Sequence, residues 1–298
     1  MSKIQIIPAY SMAQYDVAIQ ELLIKAVTVC KDFQDRIDFF SQAFLDHPYL
    51  NGALGEGESA EFDQQPLYRT DYFDCLTYVN TVLALALSNN LEVFCRNILR
   101  LNYRDSRPLY ENRYHFTSID WNAAHEKSGL FSDITKTFEI PALLAETTID
   151  RSNFFQHKNY QDIKRLQEIS SNEAENILKK LHALGDVFSP EKSTVNYLPI
   201  QAILASQNTK ERFQAQLPEL TLAEMVRPNW DLREKIGTHL NISHLGFLFK
   251  RDNTLRFRHA TVDLGKVVEI DFFEYLEKFK ESPTLKGIYI AKFKRLRV

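Results

Sequence analysis

The sequence predicts an α+β fold, helical in its earlier part and built of antiparallel strands toward its end. Three observations carry that prediction. Apolar residues recur at helical spacing from Met12 to Phe44 and again from Cys75 to Leu87. From His239 the pattern changes to short alternating runs bounded by turn residues. Hydrophobic residues make up 44% and charged residues 25% of the 298 positions, a balance that buries a full core without covalent staples.

Leu22, Leu23, Ala26, Val27 and Cys30 form one helical stripe, and Ile37, Phe40 and Phe44 continue it, so residues 12–45 read as N-terminal helices. His47 to Glu61 carries Pro48, Gly52, Gly55 and Gly57 and reads as a loop. Leu76, Val79, Leu83 and Leu87 share a stripe that predicts a buried helix from Cys75, and a second helix follows from Leu91 to Leu101. Tyr103 to Asp150 is mixed and rich in Tyr, Trp and Arg. Its residues up to Trp121 fit a saccharide groove or, more commonly, plain packing. A charged helix spans Asn172 to Leu184 after Ser170 and Ser171. The stretch 152–185 therefore reads as a helical insertion over a cleft or as a flank. Val195 to Ala205 mixes a short strand with a helix. Strands follow at Ser243–Phe249, Leu255–Val262 and Lys266–Asp271, then a helix at Phe272–Lys280 and a last strand at Gly287–Phe293. Without repeats or low-complexity tracts, residues 1–298 read as a single domain.

A net charge of −3 argues against a nucleic-acid binder, which concentrates basic residues on one face. The basic end, Lys292 to Arg297, is short and reads as a solvated strand edge. Three cysteines, Cys30, Cys75 and Cys95, are too few and odd in number for a disulfide framework. No apolar run reaches the roughly 18 to 20 residues of a membrane span. Met1 to Tyr10 lacks the basic-then-apolar order of a secretory leader, so the expectation is a cytosolic chain or one already trimmed.

Cys75 stands where a loop enters an apolar helix. Unpaired N–H groups and the helix dipole stabilise a thiolate there and can receive an oxyanion. Asp74 is placed to cap that helix. Taken alone, such a cysteine is more commonly a buried structural residue. His244 and His259 lie on two strands joined by Arg251-Asp252-Asn253-Thr254. An even loop centred on Asp252 and Asn253 pairs Lys250 with Leu255, His259 with Gly246 and His244 with Thr261. Both imidazoles then share one face as diagonal neighbours, roughly 7 to 8 Å apart at the backbone. An odd loop separates them. One imidazole as base and the other as its orienting partner, with a helix-start thiol, is the logic of a nucleophilic triad. Singly, each histidine is more commonly a packing residue, and His115, His125, His157 and His182 stay in that class, His115 least firmly. Cys75, His244 and His259 as zinc ligands is disfavoured by the lack of C-x-x-C or H-E-x-x-H spacing.

These residues resemble a known pattern. His47-Pro48-Tyr49-Leu50, Phe73-Asp74-Cys75-Leu76-Thr77, His244-Leu245-Gly246-Phe247 and His259-Ala260-Thr261 occur in the order of NlpC-type papain-like cell-wall hydrolases. The chain is more similar still to the N-acetylmuramoyl-L-alanine amidase-like branch. That branch is matched at Asp74, Cys75, Thr77 and Tyr78, at Asn112 to Phe116 with Trp121, at Asp133-Ile134-Thr135 and at Asn196-Tyr197-Leu198-Pro199.

The resemblance implies a papain-like core, a nucleophile helix packed on a small antiparallel sheet with extra helical segments. It implies hydrolysis of the bond between N-acetylmuramic acid, notably the anhydro form, and L-alanine in muropeptides, with no cofactor and no metal. Cys75 would be the nucleophile, His244 the base and His259 its orienting residue. Tyr49, Asp74, His115 and Tyr197 would serve the substrate or the oxyanion. Relatives act in the periplasm or cell envelope. A peptidoglycan stem-peptide endopeptidase and a catalytically silent binder of wall fragments are the alternatives. The chain departs from the pattern at Asn229-Trp230-Asp231, where a Gly-Asp pair is usual, and at Asn80, where a glutamate is common. A thiolate persisting well below the free-thiol value of about 8.5 is expected if Cys75 shares a proton with His244.

Overall fold

The computed structural model describes residues 12–252 and 254–294. Asn253 of the hinge, the start Met1–Tyr10 and the tail residues Arg295 to Arg297 lie outside the described residues. The helices and strands run α1 (Met12–Val29), α2 (Phe33–Ala43), α3 (Cys75–Ala86), α4 (Leu91–Asn102), α5 (Ala123–Lys127), β1 (Phe131–Asp133) and β2 (Leu143–Ile149). They continue with α6 (Arg151–Gln156), α7 (Ser171–Ala183), β3 (Glu191–Pro199), α8 (Ile200–Ile203), α9 (Gln207–Gln216) and β4 (Leu220–Leu232). The chain closes with α10 (Arg233–Ile236), β5 (Thr238–Arg251), β6 (Thr254–Thr261), β7 (Lys266–Asp271), α11 (Phe272–Glu277) and β8 (Gly287–Phe293).

The fold is α+β, as the periodicity predicts. The N-terminal helical stretch is two helices, because Asp32 interrupts it: its side chain accepts from the N–H groups of Gln34 and Asp35, both at 2.9 Å, and starts α2 afresh. The sheet is larger than the small one expected. It has eight strands in the order β2-β3-β8-β4-β5-β6-β7, with β1 added beside β8, and the pairings are antiparallel. The short β1 and two longer strands escaped the sequence reading, the longer two for physical reasons. Residues Leu220 to Val226 of β4 are buried on both faces, so they lack alternation. β2 begins with two half-exposed leucines, Leu143 and Leu144, which blur its inward pattern.

The sheet sits between helices. On one face, α1–α4 pack with Leu222, Val226, Leu245, Phe247 and Phe249 around a fully buried Tyr78. On the other, α8, α9 and α11 pack with Ala223, Met225, Leu248 and Phe257. Helices α6 and α7 form a third cluster with Phe62, Tyr110 and Phe116. Arg258 of β6, only 1% exposed, locks sheet to helices. Its Nη1 donates to Asp38 Oδ1 at 3.0 Å and Ser41 Oγ at 2.6 Å on α2, and its Nε donates to Glu269 Oε2 at 2.8 Å on β7. Tyr78 of α3 donates to the Ser41 carbonyl at 2.9 Å and joins the same lock. Among the described residues no helix is long and apolar enough to cross a membrane.

Candidate active site

Asp74 begins α3 with a reciprocal cap: its Oδ1 accepts from the Thr77 N–H at 2.8 Å, and its own N–H donates to Thr77 Oγ1 at 2.8 Å. Cys75 is thereby fixed as the first helical residue. The loop before it is pinned as well. Phe73 N–H donates to the Pro48 carbonyl at 3.1 Å, and Tyr49 N–H donates to the Gly265 carbonyl in the β6–β7 turn at 2.8 Å. Tyr49, Cys75 and His244 thus meet on the wall of one cavity of about 260 Å³, together with Arg227, Trp230 and Tyr275.

The β5–β6 register pairs Arg251 with Thr254, Lys250 with Leu255 and Phe247 with Arg258, which is the even hairpin. Gly246 lies against the next residue: a Cβ there would stand 2.7 Å from both the His259 Cβ and the Arg258 carbonyl oxygen. Both imidazoles therefore point the same way, and His244 Nε2 lies 2.6 Å from His259 Nδ1. That contact leaves His244 Nδ1 as the remaining basic nitrogen. A base at Nδ1 carries its hydrogen on Nε2 and donates it to His259. His259 is itself immobilised, stacked on Phe257 at 4.4 Å between centroids and edge-on to Tyr275 at 5.3 Å.

Burial rules the electrostatics. It pushes the Cys75 thiol up to about 12, helped by the adjacent Asp74 charge, while backbone N–H groups of Leu245, Leu76 and Cys75 pull the other way. Burial, followed by the nearby Arg227 charge, pushes His244 down to about 4. Burial and then His244 push His259 down to about 2. Burial thus works against the low-lying thiolate expected from the helix start, and favours a neutral thiol and neutral imidazoles at rest. Iodoacetamide labelling of Cys75 is expected to keep rising beyond the ordinary thiol value of 9.0. A plateau below about pH 7 would instead reveal a stable ion pair.

Three other expected site residues have different surroundings. Asp74 is engaged in capping, and its Oδ2 accepts from Ala53 N–H at 3.4 Å. His115 is not brought to Cys75: its Nε2 bonds the Tyr110 carbonyl at 2.7 Å, and its ring packs against Phe154 and Phe155 in the flanking cluster. Aromatic packing accounts for that position. Tyr197 lies in a neighbouring cavity, its ring passing over Gly287, where a Cβ would come within 2.1 Å of it. Asn80 links structural groups: it accepts from Trp121 Nε1 at 2.9 Å and donates to Asn102 Oδ1 at 2.6 Å. Arg227, Trp230 and Tyr275 are among the wall residues that the sequence reading did not assign to the site. The Pro228-Asn229 break in β4 was the available signal for the first two. Among the described residues, no group of three or more His, Cys, Asp or Glu is arranged to hold a metal ion.

Comparison with known proteins identifies the family. The family AmiA-like, described as N-acetylmuramoyl-L-alanine amidase-like, matches residues 39–285. A solved protein from Legionella pneumophila str. Philadelphia 1 is 41% identical, with a TM-score of 0.90 over 96% of this chain and 97% of its own. An N-acetylmuramoyl-L-alanine amidase from Bacteroides uniformis is 23% identical, with a TM-score of 0.56 over 88% of this chain and 99% of its own. A putative xylanase from Bacteroides fragilis is 23% identical, with a TM-score of 0.53 over 85% of this chain and 99% of its own. The last two show a shared fold alone. No curated protein matches the chain. With its family match running from α2 to the segment before β8, the chain belongs to the AmiA-like, N-acetylmuramoyl-L-alanine amidase-like family of cell-wall amidases.

Proposed function

We propose that the chain is a papain-like, NlpC-type cysteine amidase that cuts the bond between N-acetylmuramic acid, its anhydro form included, and L-alanine in muropeptides. The observation that supports it best is the shared cavity of Cys75 and His244, with His259 hydrogen-bonded behind the base at 2.6 Å. In this reading Cys75 Sγ attacks the lactyl carbonyl as His244 Nδ1 takes the thiol proton. The tetrahedral oxyanion is met by N–H groups at the start of α3, with the Tyr49 hydroxyl close by. The C–N bond breaks as His244 returns its proton to the alanine nitrogen, leaving a thioester on Cys75. A water molecule, deprotonated by His244, then cleaves the thioester, releases N-acetylmuramic acid and restores the thiol. His259 holds His244 in the tautomer that this sequence needs.

Incubation with N-acetylmuramoyl-L-alanyl peptides, read by mass spectrometry, tests the reading. Free N-acetylmuramic acid and a peptide beginning at L-alanine are expected, at a rate untouched by chelator. Shortened stems with the sugar still attached would assign an endopeptidase instead. Tight binding without turnover would assign a silent binder.

A further inference from the structure

The wall of the Cys75 cavity carries a cation that makes no ion pair among the described residues. Arg227 Nε is buried and has no hydrogen-bond partner among the described residues. Its Nη1 donates to the Thr284 hydroxyl, and its guanidinium lies 4.9 Å from the Trp230 ring centroid. Other inward-facing arginines are completed: Arg113 faces Glu56 and Asp63, Arg151 faces Asp120, Arg258 faces Asp38 and Glu269, and Arg36 donates to the carbonyls of Ala86, Leu85 and Ser88. Asp263 also lines the cavity, but the titratable group that acts on Arg227 is Tyr275, not Asp263. A half-buried guanidinium left this way is costly unless a ligand completes it.

The backbone is shaped to present this group. The β4–β5 register slips between Met225 and Val226 and again between Val226 and Trp230. Asn229 takes a left-handed φ of 48°, which asparagine tolerates better than most residues. The bulge sets both Arg227 and Trp230 on the cavity wall. Leu285 also lines an adjoining groove of about 400 Å³ that carries Lys280, Lys286 and no acidic side chain.

The charge of the substrate decides which half meets this arginine. In an N-acetylmuramoyl peptide the lactyl carboxyl is already the acyl group of the scissile amide, so the sugar half bears no ionised group. Any fixed negative charge lies on the leaving peptide. Resting on the amidase reading above, we propose that Arg227 anchors a carboxylate of the residue after alanine, making the enzyme selective for acidic leaving peptides that run into the basic groove. Trp230 holds the guanidinium plane while it forks onto the carboxylate.

The test compares kcat/KM for N-acetylmuramoyl-L-alanyl-D-glutamate with that for its diamide. The wild type is expected to prefer the acid by roughly 10- to 100-fold, the range for hydrogen bonds to charged groups. Arg227→Gln is expected to bring the ratio close to one, and Arg227→Lys to keep part of it. A ratio within each protein is indifferent to the fraction folded. A wild-type ratio within twofold of one, or an unchanged ratio in Arg227→Gln, overturns the assignment. If neither compound is hydrolysed, the amidase reading fails by itself. Calorimetric binding of the same pair then decides on Arg227: a preference for the acid that Arg227→Gln abolishes upholds it, and equal binding refutes it.

Discussion

Cys75→Ala is expected to lower kcat for release of N-acetylmuramic acid by about 10⁴-fold or more, since without the sulfur neither the thioester nor its partner proton transfer exists. The substitution removes one atom from a site already neutral at rest, so the protein should still melt cooperatively near the wild-type temperature. That combination is the diagnostic one, because loss of activity with loss of fold would say nothing about chemistry. Cys75→Ser is expected to remain nearly inactive as well: a hydroxyl is a far weaker acid than a thiol, and His244, held down to about 4, is a weak base. Turnover in the alanine variant within tenfold of wild type would end the cysteine mechanism.

Arg258→Met is expected to destabilise the protein by about 3 kcal/mol, the lower end of the range for breaking a buried ion pair. The lower end applies because the surviving acids retain water: Asp38 is 39% and Glu269 21% exposed, and Glu269 keeps Arg256 within 3.6 Å. The methionine fills much of the aliphatic volume, so the loss reports the guanidinium contacts rather than a cavity. Urea titration reads it as a lower midpoint at constant slope. A loss under about 1 kcal/mol would show that Tyr78 and the apolar contacts alone hold α2, α3 and β6 together. Because β6 also carries His259, activity is expected to fail at lower urea in this variant than in the wild type.

Much of this architecture was legible in the residues. Cys75, Asp74 and Thr77 announce a capped helix start, and the hydrophobic stripe behind them requires burial. The two-histidine face followed from counting an even hinge, because strand side chains alternate strictly and one residue more would have separated the imidazoles. What stayed hidden had no local signal. Glu224 interrupts the apolar run of β4, yet it is fully buried and accepts from Asn122 Nδ2 at 2.8 Å, a partner remote in sequence. His115 and Tyr197 sit in motifs similar to those of the family, but their surroundings are set by α6 and β8, which no neighbouring residue specifies. Arg227 looks in sequence like any surface arginine. Only the bulge beside it, and a buried Nε with no hydrogen-bond partner among the described residues, distinguish it.

The hairpin that bears the imidazoles is made late. During synthesis the thiol leaves the ribosome with the early helices, while β5 and β6 are still unbuilt, and throughout that interval it is an ordinary, unassisted sulfhydryl. On the proposed cysteine mechanism, a product truncated before β5 would carry Cys75 without His244 or His259 and would be expected to hydrolyse nothing.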